Sequence, residues 1–186
     1  MNIENIKEEV KKYLSEERYY HSICVMERCI ELAKIYNVDL EKAMFAGIAH
    51  DIAKELSKKE KIEYAEQNRL EIDEIERENP GLLHGKIGAD MCMKKFGFDE
   101  DILDAIKYHT TGKENMNMLT KVVFIADCTG VDRKYNCLEY VRKLSEENID
   151  EAILFNLDYI IKDKIAEKKA IHPTTVKARN YLLKNL

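Results

Sequence analysis

Apolar residues recur along most of this chain at the three- and four-residue spacing of an amphipathic helix. The first such stretch predicts a helix that is capped by Asn2 and runs to about Leu14. The second predicts a helix from about Glu16 to Tyr36. Its inward stripe, at offsets of a helical period, consists of His21, Cys24, Val25, Cys29 and Leu32.

Capping signals divide the rest of the chain into further helices. Ser57 and Glu60 form a capping-box pattern, and Asn79-Pro80-Gly81 is a stop signal after an acidic connection that begins at Leu70. No run alternates for long enough to predict a strand. We therefore expect an all-α protein, a single helical-bundle domain over residues 1–186. The further predicted helices cover about 39–50, 57–68, 82–97, 99–109, 119–128, 150–167 and 173–186.

Composition narrows the class of protein. Hydrophobic residues make up 45% and charged residues 35% of the 186 positions, and seven Gly, two Pro and no Trp argue against a turn-rich β-fold. The net charge of −5, without a basic stripe, argues against a general nucleic-acid surface. The sequence shows no signal-peptide pattern and no apolar run as long as a membrane span. Five cysteines without a Cys-x-x-Cys pair suit a reducing cytoplasm, so we expect a cytoplasmic protein.

The stretch Ala49-His50-Asp51-Ile52-Ala53-Lys54 contains the first candidate chemistry. Adjacent His and Asp offer one neutral nitrogen and one anionic oxygen, a suitable pair for a divalent or trivalent metal. Lys54 follows Asp51 by three residues and His50 by four, so a continuous helix would place it on their face. A metal, a carboxylate and a lysine together suit phosphate chemistry. By itself the stretch favours a capped or salt-bridged helix end, and the other histidines change that interpretation.

Four histidines lie on the apolar faces of four predicted helices: His21, His50, His84 and His109. One such histidine alone is usually a hydrogen-bonded core residue, but four buried imidazoles need partners. Asp127 follows an apolar run and is expected to point into the core, where a bound metal would remove the penalty of a buried carboxylate. The alternative for Asp127 is an ion pair with Arg or Lys. His172, which precedes Pro173, lacks an inward stripe, and we expect no metal role for it.

The order His, His-Asp, His, His, Asp across separate helices resembles the HD-domain metal-dependent phosphohydrolases, and the flanking residues resemble the bacterial YqeK family. This resemblance implies a symmetrical diadenosine tetraphosphate hydrolase that carries iron and releases two ADP. It covers roughly Arg18 to the C-terminus, and the segments around His109 and Pro173 are its most specific parts. The matching segments are Arg18-Tyr19-Tyr20-His21-Ser22, His50-Asp51-Ile52-Ala53-Lys54, Leu82-Leu83-His84-Gly85, Tyr108-His109-Thr110-Thr111-Gly112 and 171–180.

The resemblance also implies roles for individual residues. Metal ligands would be His21, His50, Asp51 and Asp127, with iron as the expected metal and manganese or another transition metal as the alternative. Lys54, His84 and His109 would be catalytic, and the two histidines are also candidates for a second metal. The implied substrate-binding residues are Arg18, Lys54, His84, His109, Thr110, Arg133, Ile171, His172, Pro173, Thr174, Thr175, Val176 and Arg179.

Several details within this assignment stay open. The family usually has Ile-Glu-Pro after the Ala-Asp pair, whereas this chain has Cys128 to Asp132 before the matching Arg133. Arg133 and Arg179 are expected to hold phosphates, with surface charges as the alternative. The Thr174-Thr175 helix start is expected to offer free backbone N–H groups to phosphate, with an ordinary Thr N-cap as the alternative. Tyr19, Tyr20 and Tyr108 could stack on adenine or simply pack.

The expected partners are a dinucleoside polyphosphate substrate and its ADP product, without nucleic acid or membrane. Exposed tyrosine and methionine faces favour a homodimer over a monomer. One rival function is a phosphohydrolase acting on a nucleoside monophosphate or a cyclic dinucleotide, because the same metal set would serve it. A rival of another class is a nucleotide-sensing protein without turnover. A turnover assay across dinucleoside polyphosphates discriminates among them.

Overall fold

A computed structural model describes residues 2–186 of the chain. Within these residues the backbone forms helices and no strand, so the all-α prediction is confirmed. The elements are α1 (Ile3–Lys11), α2 (Glu16–Ile35), α3 (Leu40–Ala49), α4 (Lys58–Gln67), α5 (Glu74–Glu78), a 3-10 turn (Pro80–Leu83), α6 (His84–Phe96), α7 (Glu100–Tyr108), α8 (Met118–Thr129), α9 (Leu138–Glu147), α10 (Ile149–Ala166) and α11 (Pro173–Asn185).

Short polar side chains start the helices where the sequence predicts them. Asn2, Asp39 and Asp99 each accept a hydrogen bond from a backbone N–H in the first turn of the helix that follows. Ser57 and Glu60 form both bonds of the capping box of α4. Each cap satisfies an N–H that has no partner within its helix, and replacing one by Ala typically costs about 1 kcal/mol. The caps therefore fix the helix boundaries locally.

Two helices differ from the sequence prediction because their apolar pattern is short. The acidic connection before Pro80 contains α5, which Asp73 and Glu76 start with a second capping box. Helix α9 begins after Cys137 without a side-chain cap and buries only Leu138, Val141 and Ser145. Such short segments have too few apolar positions for helical periodicity to distinguish them from loops.

The chain leaves helical geometry at the His-Asp pair. Helix α3 ends at Ala49, and the next residues form tight turns in which the N–H of Ile52 donates to Ala49 O and that of Lys54 to Asp51 O. The chain therefore does not form the continuous helix that would place Lys54 on the face of His50 and Asp51. The turn nevertheless keeps Lys54 beside Asp51, with 3.4 Å between Lys54 Nζ and Asp51 Oδ1.

The core lies where α2, α3, α7 and α8 pack side by side, with α6 on α7 and α10 joining α9 and α11 to α8. Gly47 lets α3 approach α2 closely, because a Cβ there would lie 2.8 Å from the Cα of Met26. Large side chains such as Phe124, Ile48 and Leu32 are fully buried between these helices. Burying one such side chain contributes roughly 1.5–3 kcal/mol. This packing brings the predicted inward face of α2 against the end of α3.

All five cysteines are free, and Cys24, Cys29 and Cys92 are buried. Burial raises the pKa of the Cys29 and Cys92 thiols, and it raises that of Cys128 to about 12. The thiols are thus small core groups rather than thiolate ligands.

Among residues 2–186, no helix has both the length and the apolar character needed to cross a membrane.

Candidate functional site

Four histidine rings from different helices meet at one place in the core. His21 lies in α2, His50 ends α3, His84 begins α6 and His109 ends α7. All four are buried. Neighbouring ring centroids are separated by 5.3 Å (His21 and His50), 4.9 Å (His50 and His109) and 4.8 Å (His109 and His84). The helical stripes predicted from the sequence therefore do bring these histidines together.

Three of the histidines are oriented by the same local device. The Nδ1 atoms of His50, His84 and His109 lie 2.8, 2.6 and 2.7 Å from the carbonyl oxygens of Gly47, Gly81 and Ile106, three residues earlier in each case. These carbonyls belong to a final helical turn or a tight turn, where they lack a backbone partner. A carbonyl oxygen only accepts hydrogen bonds, so each Nδ1 carries the hydrogen. Each Nε2 then presents a lone pair to the centre.

These lone pairs face one another and the carboxylate of Asp51. His84 Nε2 and His109 Nε2 are 3.0 Å apart, and each lies within 3.4 Å of Asp51 Oδ1. His50 Nε2 and Asp51 Oδ1 are buried without a hydrogen-bond partner among the described residues. Two neutral acceptors at 3.0 Å and unpaired buried acceptors are unfavourable unless a cation lies among them.

Asp51 faces two groups of ligand atoms. Its Oδ1 is next to His84 and His109, whereas its Oδ2 is 3.6 Å from His50 Nε2. On the second side, Asp127 Oδ1 lies 3.0 Å from His21 Nε2 and 3.8 Å from His50 Nε2. The sets His21–His50–Asp127 and His50–Asp51–His109 are each close enough to hold one metal ion. The two sets share His50, whose one free nitrogen can serve only one metal, so a second metal would have to be held by Asp51 Oδ1, His84 and His109.

His21 differs from the other three because a carboxylate, not a carbonyl, meets its Nδ1. Asp132 Oδ2 lies 2.7 Å from His21 Nδ1. Gly130 makes this contact possible, since a Cβ at position 130 would lie 2.8 Å from Asp132 Oδ1. A carboxylate on the outer nitrogen of a metal-binding histidine fixes its orientation and raises its basicity. Asp132 was not predicted from the sequence, because the altered segment offers no pattern that identifies it.

Two arginines border the same centre. Arg133 donates through Nε to the Asp127 carbonyl at 2.7 Å and through Nη2 to the Asp127 carboxylate, and Arg18 Nη1 lies 3.2 Å from Asp51 Oδ2. The ion pair named as the alternative for Asp127 is therefore present, because the loop after α8 folds Arg133 back onto it. Arg133 is accordingly not a free surface charge.

The two aspartates of the centre stay ionised, and His50 and His84 stay neutral. Burial alone would raise the pKa of Asp51 and Asp127, but the contact with His21 and the Arg133 guanidinium at Asp127, and the Lys54 ammonium at Asp51, hold both well below the usual value. Burial lowers the pKa of His50 and His84 to about 4. Neutral imidazoles and ionised carboxylates are the protonation states that bind metal.

This donor set fits a transition metal. Nitrogen and carboxylate donors without thiolate suit iron, manganese or zinc better than magnesium. The fit rests on the converging Nε2 lone pairs and on the unpartnered atoms of His50 and Asp51. Of the predicted metal ligands, His21, His50, Asp51 and Asp127 lie within this one cluster.

Lys54 and Thr110 stand on the His84 side of the centre. Lys54 Nζ lies 3.1 Å from His84 Nε2, and Thr110 Oγ1 lies 3.2 Å from the same atom. Lys54 is partly exposed, so its ammonium group also faces solvent. The predicted catalytic residues Lys54, His84 and His109 are thus brought together by the fold.

The predicted nucleotide-binding segment, residues 171–176, lies beyond Thr110. A cavity of about 260 Å³ is lined by Thr110, Thr111, Ile171, His172 and other residues of α10 and α11. A neighbouring cavity of about 220 Å³ shares Thr110, Thr111 and His172 and adds Tyr108. Pro173 and Val176 are exposed at the start of α11. Thr110 therefore lies between this segment and the histidine cluster, since it lines both cavities and contacts His84.

The start of α11 does not offer the expected free N–H groups. His172 Nδ1 accepts from the Thr174 N–H at 3.2 Å, and the His172 carbonyl accepts from the Thr175 N–H at 3.0 Å. The prediction of a backbone phosphate cradle at Thr174-Thr175 is therefore wrong, and so is the alternative of a threonine cap, because His172 is the N-cap. Arg179 donates to Asp158 on α10, and its described hydrogen bonds do not reach the centre.

A second group of His and carboxylate side chains lies at this segment. His172, Asp73 and Glu76 are close enough together to hold a metal. His172 Nε2 lies 2.9 Å from Asp73 Oδ2, and Lys86 Nζ lies 2.7 Å from Glu76 Oε2. An ammonium group thus already neutralises one carboxylate of this group.

Comparisons with known proteins agree with this geometry. The HD domain family model matches residues 18–132. The chain is 38% identical to the symmetrical bis(5'-nucleosyl)-tetraphosphatase of Halalkalibacterium halodurans, over 94% of this chain and 93% of the relative. It is 34% identical to the protein of the same name from Bacillus subtilis, over 98% of each. A crystal structure of a predicted HD superfamily hydrolase involved in NAD metabolism from Clostridium acetobutylicum superposes with a TM-score of 0.96, at 37% identity over 100% of this chain and 99% of that one.

Proposed function

This chain belongs to the HD domain family, and we propose that it is a metal-dependent hydrolase that cuts diadenosine tetraphosphate symmetrically. Water adds to one of the two central phosphorus atoms, the central P–O–P bond breaks, and two ADP are released. Relatives that align over nearly the whole chain and are named symmetrical bis(5'-nucleosyl)-tetraphosphatase support the substrate. The alignments also support treating residues 1–186 as one functional unit.

The observation that carries the proposal is the convergence of imidazole lone pairs and carboxylates at one buried place. The backbone carbonyls orient the Nε2 atoms of His50, His84 and His109 inward. A resident metal would be held by His21, His50, Asp51 and Asp127, and a second would be held by Asp51, His84 and His109. When bound, a metal supplies Lewis acidity that polarises a phosphoryl oxygen and lowers the pKa of a water. We expect iron, with manganese as the alternative.

Basic side chains around the centre bind and orient the polyphosphate. Lys54, next to His84, neutralises charge on the phosphate that is attacked. Arg18 and Arg133 each keep donors beyond their contacts with Asp51 and Asp127, and a guanidinium can grip two phosphate oxygens at once. Thr110 offers a hydroxyl beside the same histidine. The net charge of the chain is −5, so the chain as a whole does not attract a polyphosphate. These basic and hydroxyl groups supply the local attraction for its negative charge.

One nucleoside half is expected at the C-terminal segment. The cavity lined by Thr111, Ile171 and His172 is next to Thr110, so a diphosphate bound at Lys54 can extend into it. Arg179 has only an indirect role here, because it joins α11 to Asp158 of α10. The segment therefore holds the nucleoside by shape and side-chain contacts rather than by free N–H groups.

A turnover assay with product identification tests the proposed function. Metal-loaded protein is incubated with diadenosine tetraphosphate, and the nucleotides are separated by chromatography. We expect ADP as the only product. Equal amounts of AMP and ATP would place the attacked bond elsewhere, and binding without turnover in the presence of iron or manganese would indicate a sensing protein instead.

A further inference from the structure

A cleft on the other side of the histidine cluster has not been assigned to any part of the substrate, although Arg18 and Arg133 line it. It has a volume of about 600 Å³ and lies between the start of α2 and the loop after α8. Successive neighbours in the cluster are His21, His50, His109 and His84. The cleft borders His21, the first of these rings, whereas the nucleotide cavity borders Thr110 next to His84, the last. The two spaces therefore open at opposite ends of the centre.

Symmetrical cleavage requires space at both ends. A substrate cut at its central bond has a nucleoside diphosphate on each side of the reacting phosphorus. The cavities around Thr110 are the space already proposed for one half. The other half needs a second space that begins at the same centre and is large enough for a nucleoside. At about 600 Å³ the cleft is within the size range of small-molecule sites.

The cleft has phosphate-binding groups at its inner end. Arg18 contacts Asp51 from this side, and Arg133 contacts Asp127. Both guanidinium groups are partly exposed, so N–H donors that do not bind the aspartates can reach a phosphate. Lys134 is exposed further along the same wall. A diphosphate entering from the centre thus meets three cationic side chains.

The outer part of the cleft suits a base and a ribose. Tyr20 is 60% exposed and Val131 is 66% exposed, so the two apolar surfaces are available on opposite walls. A tyrosine ring is a suitable platform for a purine. Of the carboxylates in the cleft, Glu55 accepts from Ser15 Oγ at 2.7 Å and Asp132 from His21, which leaves Glu17 as an acceptor for a ribose hydroxyl or a base amino group.

From this arrangement we infer that the cleft between Tyr20 and Lys134 binds the second nucleoside 5'-diphosphate half of the substrate. The inference rests on the proposed function. The diphosphate lies at Arg18, Arg133 and Lys134, and the base stacks on Tyr20. The two halves of a symmetrical substrate are then held by chemically different sites. Metal-loaded protein should consequently bind two molecules of ADP per chain, one at each end of the centre.

Two variants with matched controls test the cleft. Tyr20→Ala and Lys134→Ala change it directly. Tyr140→Ala is the control for loss of an exposed tyrosine, since Tyr140 is 57% exposed on α9, and Lys162→Ala is the control for an exposed lysine on α10. For Tyr20→Ala we expect about a tenfold rise in KM for diadenosine tetraphosphate, as is typical of a lost base–aromatic contact. Lys134→Ala should raise KM less, and the controls should not change it.

Calorimetry with ADP separates this inference from the proposed function. Wild-type metal-loaded protein should show two ADP sites, and Tyr20→Ala should weaken one about tenfold and leave the other unchanged. A single ADP site, or two sites that are both insensitive to Tyr20→Ala, would overturn the inference even if the substrate is hydrolysed. Failure of wild type to convert diadenosine tetraphosphate to ADP would overturn the proposed function, whereas the number of ADP sites would still decide the assignment of the cleft.

Discussion

Two groups of histidine and carboxylate side chains in this molecule have similar composition and opposite hydrogen bonding. The first is the buried centre of His21, His50, Asp51, His84, His109 and Asp127. The second is His172 with Asp73 and Glu76. In the centre, the Nδ1 atoms of His50, His84 and His109 donate to backbone carbonyls, so the Nε2 lone pairs face the carboxylates. In the second group, the Nδ1 of His172 instead accepts the N–H of Thr174.

This difference decides which group needs a cation. The ring hydrogen of His172 must be on Nε2, where it faces Asp73 Oδ2 at 2.9 Å, and Lys86 neutralises Glu76. His172 Nε2 also lacks a well-aligned hydrogen bond among the described residues, but in this tautomer it is a donor facing a carboxylate, and not a lone pair that a cation could satisfy. The centre retains unpaired acceptors on His50 and Asp51 despite the nearby Lys54, Arg18 and Arg133. Judged by ligand composition alone, both groups are candidate metal sites. The position of the ring hydrogen shows that only the first presents histidine lone pairs to a metal.

The largest expected effect is on metal content. Asp51→Ala combined with Asp127→Ala should abolish stoichiometric binding, because it removes both carboxylates of the centre. Asp73→Asn combined with Glu76→Gln should leave the metal content unchanged. Asp127→Asn alone should lose metal without unfolding the chain, since it removes a buried charge together with a ligand. Elemental analysis and circular dichroism check these outcomes, and metal that survives the first double substitution would contradict the assignment.

The second-largest effect is on kcat, and it distinguishes Lys54, beside the centre, from Lys86, beside Glu76 of the second group. Lys54→Ala should lower kcat by about 10²-fold while the metal is retained, because an ammonium group preorganised beside the attacked phosphate is lost. Lys86→Ala should leave kcat unchanged and lower the melting temperature, since it leaves the buried Glu76 without its cation. Steady-state kinetics and thermal melts separate the two results. A Lys54 variant with wild-type kcat would remove this lysine from the mechanism.

A third prediction concerns the carboxylate behind His21. Asp132→Asn should weaken metal affinity by about 10–100-fold, as is typical for loss of such a partner. Gly130→Ala should act in the same direction, because its Cβ would push against Asp132 Oδ1. Competition with a chelator of known affinity measures both variants. Unchanged affinity in both would mean that Asp132 only packs against the ring.

The fourth prediction is a pH dependence that arises from His50 and His84 of the centre. The folded pKa values of His50 and His84 are lowered to about 4, against about 6.5 in an unfolded chain. The unfolded chain therefore binds more protons between these pH values, and metal-free protein should lose stability as the pH falls from about 6.5 towards 4. The slope should be on the order of 1 kcal/mol per pH unit for each histidine. The pKa values of Asp51 and Asp127 lie below this window.

Thermal melts of chelator-treated protein measure this slope. His84→Gln should reduce it by about half, because one of the two titrating groups is gone. Metal-free wild type with constant stability between pH 5 and 7 would contradict the burial of neutral imidazoles.

The smallest expected effect is at the second group. His172→Ala should reduce stability by about 1 kcal/mol through loss of the α11 cap, and His172→Asn should restore most of it, because Asn is also an N-cap. Neither variant should alter metal content. Chemical denaturation measures the first effect, and a loss of metal on His172→Asn would show that the two groups are not independent.

The sequence predicts the components of the centre but not their orientation. Helical periodicity places His21, His50, His84 and His109 inward, since burial on a helix face depends only on local spacing. The hydrogen bonds to Gly47, Gly81 and Ile106 depend on where each helix or turn ends.

Contacts made by loops were harder to predict than those made by helices. Asp132 and Arg133 return to α2 and α8 through a loop without regular spacing. The bond from Arg179 to Asp158 joins two helices across the surface. Such contacts depend on tertiary packing, which the periodicity of apolar residues does not describe. The resemblance to a family implies roles for Arg133 and Arg179 but none for Asp132, and it does not reveal their partners.

The most direct measurement of the central claim is the nitrogen NMR spectrum of the histidine side chains in metal-free protein near pH 7.5. We expect a hydrogen on Nδ1 for His50, His84 and His109 and on Nε2 for His172. Addition of the diamagnetic ion Zn²⁺ should shift the Nε2 signals of the first three and leave His172 unchanged. A hydrogen on Nε2 of His50, His84 and His109, or a zinc-dependent shift confined to His172, would contradict these expectations.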